Sequence, residues 1–295
     1  MSAEWPSLAD LVVMEGDAPV ALLGAPMEAG SVTPGRCDLA PAAVRQAMKR
    51  LSSYDLTVEL ELSVPVRDLG DVAVQGLMPA DGFAPIRDAL AAATAAHDLT
   101  LLIGGNNAVT RPAAHGLGLP LDQVGLITLD AHFDMRETDE GPMNGNPVRC
   151  LLEDGLPGAN ICQIGLAPFA NTRKMHEDAL AAGISLFDLD DVLAEGIEAA
   201  IDEALERLSH VEAILVDFDI DVIDRGQFPG APGARPGGLP VWEFFRAARR
   251  LAEEERVRAV DLTEFDPSLD ATDLSALTAA RWVAEILAGY EMRAR

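Results

Sequence analysis

Basic residues are scarce in this 295-residue chain: 22 lysines and arginines stand against 48 aspartates and glutamates, a net charge of −26. Such a field repels phosphate at long range, which excludes nucleic acid and anionic membranes as partners. Cysteine is scarce too. Cys37, Cys150 and Cys162 are odd in number and lack CxxC spacing, as expected of reduced thiols rather than a disulfide framework, and Cys150 and Cys162 read as small packing residues. No apolar run approaches the roughly 20 residues that span a bilayer. The N-terminus has no basic region followed by a sustained apolar core, so a cytoplasmic location is expected. Internal repeats and low-complexity linkers are missing as well, and a single domain over residues 1–295 is expected.

What the chain does have is aspartate in two concentrated places. The apolar run Val124–Thr128 leads into Leu129-Asp130-Ala131-His132-Phe133-Asp134. In an extended segment side chains alternate, which predicts that Asp130, His132 and Asp134 project together. Carboxylate oxygen mixed with imidazole nitrogen suits Mn²⁺, Fe²⁺, Co²⁺, Ni²⁺ or Zn²⁺ better than Ca²⁺. A second run, Ala213–Val216, flows into Asp217-Phe218-Asp219-Ile220-Asp221, predicting a shared face for Asp217, Asp219 and Asp221. One such aspartate is ordinarily a helix cap or a turn former. Two clusters that each end a buried strand point instead to metal, because carboxylates this close repel unless a cation sits among them. A pair of divalent ions held there would ionise a water.

Apolar strand-like segments recur at Val20–Leu23, Val64–Leu69, Leu99–Ile103, Val124–Leu129, Ile161–Gly165, Ile184–Phe187, Ala213–Val216 and Arg258–Leu262. Helical spacing marks Pro41–Leu51, Phe83–Ala96, Ile197–Leu208 and Asp273–Tyr290. Alternation of this kind predicts an α/β fold: three αβα layers around a mainly parallel sheet of roughly eight strands. The acidic motifs then fall on one rim of that sheet, where open α/β folds place their sites. Gly226–Gly238, rich in proline and glycine, reads as a functional loop.

The two aspartate motifs, in this order, resemble the signature of the ureohydrolase family, which includes arginase, agmatinase, guanidino-acid hydrolases and formimidoylglutamase. The resemblance extends to Gly104-Gly105-Asn106-Asn107, where the family has a Gly-Gly-Asp-His turn, and to Glu264 in Asp261-Leu262-Thr263-Glu264. It extends also to Asn144-Gly145-Asn146-Pro147, to Gly70-Asp71 and to Asp270–Asp273, and it spans roughly Val20 to Leu287. It implies an arginase-like fold and ligation of two divalent ions, Mn²⁺ foremost, by Asp130, His132, Asp134, Asp219 and Asp221. Asp134 would pass a proton to the leaving amine, and Glu264 would grip the cationic head of the substrate. A homo-oligomer, trimer or hexamer, is implied as well.

Two positions depart from the family pattern. Asn107 stands where the family has a metal-ligating histidine, so one metal position should be weaker and harder in character. Asn144 stands where relatives such as arginase carry a proton-shuttling histidine. The string ending in Met135-Arg136 looks most like the formimidoylglutamase branch, and Arg136 favours a substrate with an acidic tail. Arg235 and Arg173 are further candidates for that carboxylate clamp. The expected function is hydrolysis of a linear amidine or guanidino C–N bond, formimidoylglutamate to glutamate and formamide. The alternatives are a guanidino-acid hydrolase or agmatinase releasing urea, and a silent binding protein of the same family. A single-zinc deacetylase is the remaining alternative, and Asn106-Asn107 lacks the histidine pair it requires.

Overall fold

A computed structural model describes residues 5–293; the outermost ends of the expected domain, 1–4 and 294–295, lie outside the described residues. The chain begins with β1 (Val12–Val13), β2 (Val20–Gly24), α1 (Ala40–Met48) and a small hairpin of β3 (Tyr54–Asp55) and β4 (Leu60–Glu61). It continues through β5 (Val66–Asp71), α2 (Pro79–Ala96), β6 (Leu99–Ile103), α3 (Thr110–His115) and β7 (Val124–Leu129). Then come α4 (Pro147–Asp154), β8 (Ile161–Leu166), α5 (Arg173–Ala182), β9 (Ser185–Asp188), α6 (Leu189–Glu195) and α7 (Ile197–Arg207). Last are β10 (Ala213–Asp219), α8 (Val241–Ala252), β11 (Val257–Thr263) and α9 (Leu274–Met292).

Nine strands form one parallel sheet in the order β1-β5-β2-β6-β11-β10-β7-β8-β9. All eight expected strands are present. The ninth, β1, pairs Val12 and Val13 with Val66 and Arg67 at the sheet edge, and two residues are too few to carry a readable alternation. Strands β2, β6, β7, β8 and β10 are buried along their whole length, which is why they read as largely apolar runs.

Helices cover both faces. One layer packs α1, α6, α7, α8 and α9 over the sheet through Val44, Leu205, Phe244 and Trp282, with Phe218 wedged edge-on against the last two. The other packs α2 to α5 through Ile86, Ala113, Leu151 and Ala179. Proline opens α1, α2 and α4, where the missing N–H costs nothing. Gly155 and Gly183 close α4 and α5 in the left-handed conformation. Helix α2 starts four residues ahead of the expected Phe83, at Pro79, and carries the interior Pro85 on its exposed side. Helices α3, α4, α5, α6 and α8 were not anticipated from the spacing. No helix among the described residues is long and apolar enough to cross a membrane. All three cysteines are buried and free, Cys150 and Cys162 as packing residues.

Candidate metal centre

Four neighbouring strands in the middle of the sheet, β6, β11, β10 and β7, deliver the site from their C-terminal ends. After β6, Gly104 and Gly105 turn the chain sharply. A Cβ on Gly105 would meet the Met27 carbonyl oxygen at 1.7 Å, so only glycine lets these backbones approach. The turn continues the ladder onto β11: Gly104 N–H donates to Leu262 O and Glu264 N–H to Gly105 O.

After β7 regular strand geometry stops, although Asp130 N–H still donates to Ile164 O and Ala131 O accepts Ala167 N–H. Strand pairing ends at Leu129, so alternation does not place Asp130, His132 and Asp134, contrary to the expectation from sequence. Hydrogen bonds place them instead. Asp130 Oδ1 accepts the His132 N–H at 2.7 Å, and Asp134 takes a left-handed φ of 52°. Asn171, a residue sequence reasoning overlooked, clamps the loop from above: its side chain accepts Phe133 N–H and donates to Ala131 O. Its only sequence signal was its position beside Arg173. After β10, Asp221 is likewise not on an extended face with Asp219; it sits in a 3-10 turn, Ile220–Val222, and its N–H donates to the capping Asp219 Oδ1. Asp217 also departs from the expected trio. It is in register with Asp261 on β11 and turns toward that carboxyl, one layer beneath the site.

The result is a buried knot of charge. Asp130, Asp134, Asp219, Asp221 and Glu264 are all buried, and all but Asp130 line one cavity with His132. His132 Nδ1 lies 3.1 Å from Asp221 and 3.4 Å from Asp130, and these three residues can present ligand atoms within 4.8 Å of one another. Asp130 Oδ2 and Asp221 Oδ1 have no hydrogen-bond partner. Burial pushes Asp130 up to about 6 and, with the neighbouring carboxylates, holds Asp134 and Asp219 well above the ordinary carboxylate range. The Asp221 charge pushes His132 up to about 12. Burial raises Asp221, but the His132 charge outweighs it and the net shift is downward. Buried oxygens without a hydrogen-bond partner and carboxylates pushed toward neutrality are groups that a cation would satisfy, so this donor set fits a divalent metal.

The remaining predicted residues divide. Glu264, left-handed at φ 61°, is fixed by bonds to Oε1 from Asn107 N–H at 2.7 Å and Asn144 Nδ2 at 3.0 Å. Burial pushes it up to about 7. Asn144 thus fastens Glu264, and its Oδ1 accepts Val32 N–H, closing the cavity wall. Arg136 and Arg235 line the same cavity. Arg173 does not: it begins α5 and lines a separate groove with Phe169 and His176. Asn107 donates Nδ2 to Asp134 at 2.6 Å, while its Oδ1, the atom expected to ligate, accepts from Thr110 and Thr263.

A parallel α/β sheet with a carboxylate–imidazole centre at its rim defines the class, a hydrolase scaffold shaped around cations. The sequence profile of the arginase family matches residues 18–289, and the chain belongs to that family, whose hydrolases act on C–N bonds of linear amidines. It is 29% identical over 274 residues to the formimidoylglutamase of Halalkalibacterium halodurans, covering 91% of this chain and 86% of that one. The guanidinopropionase of Pseudomonas aeruginosa is also 29% identical, covering 91% and 85%. The crystal structure of Bacillus subtilis formimidoylglutamase superposes with a TM-score of 0.93 at 27% identity, covering 99% and 94%. Trypanosoma cruzi formiminoglutamase, solved with two Mn²⁺ ions, shares the fold with a TM-score of 0.90 at 22% identity, covering 98% and 99%.

Proposed function

We propose that this protein hydrolyses an amidine whose far end is acidic, with N-formimidoyl-L-glutamate as lead substrate and formamide and glutamate as products. The observation that carries the reading is one cavity lined by charges of both signs. Buried Glu264 faces it from one side, and Arg136 and Arg235 line it as well. A substrate with a cationic amidinium head and a carboxylate tail complements that pairing, whereas agmatine, cationic at both ends, does not.

Asp130, His132, Asp134, Asp219 and Asp221 would hold the metal, which when bound supplies an ionised water. Glu264 Oε1 is already occupied by Asn107 and Asn144, which leaves Oε2 to receive the amidinium N–H groups and aim its carbon. Asp134 is the group assigned to carry a proton to the leaving amine nitrogen as the C–N bond breaks. The water oxygen ends on the formamide carbon, and its protons end on the two nitrogens.

A guanidino-acid substrate is the second reading, favoured by the equal likeness to a guanidinopropionase. The reading also includes a single working domain assembled into a homo-oligomer, a trimer or hexamer. The test is incubation with Mn²⁺ and a substrate panel differing in head and tail. Formamide release from formimidoylglutamate is expected; urea from guanidino acids selects the second reading. Turnover of agmatine alone overturns the arginine clamp. No turnover of any substrate selects the silent binding protein.

A further inference from the structure

Beneath the cavity lies a set of polar groups that the proposed chemistry does not use. Asp217 and Asp261 sit opposite each other on paired strands, both fully enclosed. Neither oxygen of Asp261 has a hydrogen-bond partner, nor does Asp217 Oδ2. Two threonine hydroxyls separate this pair from Asn107. Thr110 Oγ1 donates to Asn107 Oδ1 at 2.6 Å and lies beside Asp261. Thr263 Oγ1 is 3.2 Å from the same Asn107 oxygen and 3.4 Å from Asp217 Oδ1. In this arrangement the Thr110 hydroxyl proton is spent on Asn107, the Thr263 hydroxyl is shared between Asn107 and Asp217 Oδ1, and Asp217 Oδ2 and both Asp261 oxygens go without.

A half-turn of the Asn107 amide reverses the accounts of every group in the chain. Its nitrogen would then donate to Thr110 Oγ1 and Thr263 Oγ1. Each hydroxyl, relieved of Asn107, would be free to donate downward, Thr110 to Asp261 and Thr263 to Asp217. The Asn107 oxygen would face Asp134 Oδ2, where the amide nitrogen now sits at 2.6 Å. Two oxygens that close repel unless a cation lies with them, so the turned arrangement requires a cation between Asn107 and Asp134. Valine or isoleucine at 110 and 263 would fill the same space and offer no such exchange.

We propose that Asp217 and Asp261, acting through the Thr263 and Thr110 hydroxyls, form an acceptor platform that turns the Asn107 carbonyl oxygen toward a bound divalent cation. The platform residues are positioning residues: they touch neither substrate nor metal. Asn107 thereby serves the second cation as a neutral oxygen ligand, and its service depends on hydroxyls two layers from solvent. This inference rests on the metal reading above and deepens it.

The test is Mn²⁺ binding by the full chain, followed by isothermal titration. The unaltered chain is expected to hold two ions, one more weakly than the other. The double variant Thr110→Val/Thr263→Val should keep the first ion and lose the second by about tenfold or more in affinity, the usual effect of removing groups behind a ligand. Thr110→Ser/Thr263→Ser should restore it. Asn107→Ala should lower the second affinity equally, and adding the valines to Asn107→Ala should cost nothing more, since both act on one contact. Retained second-ion binding in the valine variant overturns the platform, as does equal loss of both ions or additivity with Asn107→Ala. A single ion in the unaltered chain overturns the platform and leaves the hydrolase reading to its substrate assay. No Mn²⁺ binding at all overturns both.

Discussion

Single residues decide the chemistry through charge held away from water. Glu264 is the sharpest case. Its carboxylate is buried, strained into the left-handed region and anchored on one oxygen only. Replacing it with glutamine keeps the shape and removes the charge that meets an amidinium. Glu264→Gln should cost about 2 kcal/mol of binding to the cationic head, roughly thirtyfold in kcat/KM, read by steady-state kinetics with folding unchanged. An unaltered kcat/KM would remove Glu264 from the site. Arg136 is exposed at the cavity rim, where solvent screens it, so Arg136→Ala should raise KM for acidic-tailed substrates by only about 1 kcal/mol, roughly fivefold, and leave kcat in place. At this scale sequence was informative about residue types and less so about orientation. Asp130, His132, Asp219 and Asp221 could be singled out by motif. That Asn144 would fasten Glu264, and that Asn107 would turn its nitrogen to Asp134, depended on neighbours 120 and 27 positions away.

Elements decide where those residues stand. The loop after β10 returns over the site so closely that a Cβ on Gly233 would meet Asp221 Oδ2 at 2.0 Å. Gly233→Ala must therefore push that carboxylate aside. A tenfold or greater loss of Mn²⁺ affinity by titration is expected, with a smaller effect on global stability because Gly233 itself is only partly buried and the change removes no apolar contact. The start of α9 offers a pH test remote from the metal. Asp270 accepts the Thr272 N–H, the Thr272 hydroxyl and the Ser275 N–H. Burial is the largest single influence and raises its pKa, but those bonds together outweigh it and hold it down at about 2. A depressed carboxylate stabilises the fold fully above its unfolded value near 4 and loses that contribution as pH falls toward 2. Asp270→Ala should thus cost about 1 kcal/mol at pH 7 in denaturant melts, and the gap to the unaltered chain should close by about pH 2. Helix α8 shows what a reading of spacing can pass over. Phe244, Ala247, Ala248 and Leu251 mark one face, yet arginines on the other face interrupt the apolar pattern that draws the eye.

At the scale of the molecule, the buried carboxylates gathered at one rim repel one another at a cost that a bound cation would offset. Five of them meet at that rim; His132 lies among them, and the exposed Arg136 and Arg235 line the same cavity. Mn²⁺ should accordingly stabilise the fold: about 2.7 kcal/mol per ion at a hundredfold excess over its Kd, seen as a rise in melting temperature that a chelator reverses. A melting temperature indifferent to Mn²⁺ and chelator alike would count against a metal centre. The net charge of −26 works the same way, since self-repulsion across the surface destabilises the compact state and bound cations relieve part of it.

The sequence by itself determined the eight long strands, the parallel layering and the identity of the acidic groups. Those follow from a local cause: burial on both faces demands largely apolar runs, which can be read without knowing the partner strand. Only the tertiary structure decided which strands lie side by side. It brings β6, β11, β10 and β7 together although they are far apart along the chain, and it joins Asp217 to Asp261 and Asn107 to Thr263. Hydrogen bonds and Coulomb forces act over a few ångströms of space, and no spacing within one segment records what a neighbouring segment will bring.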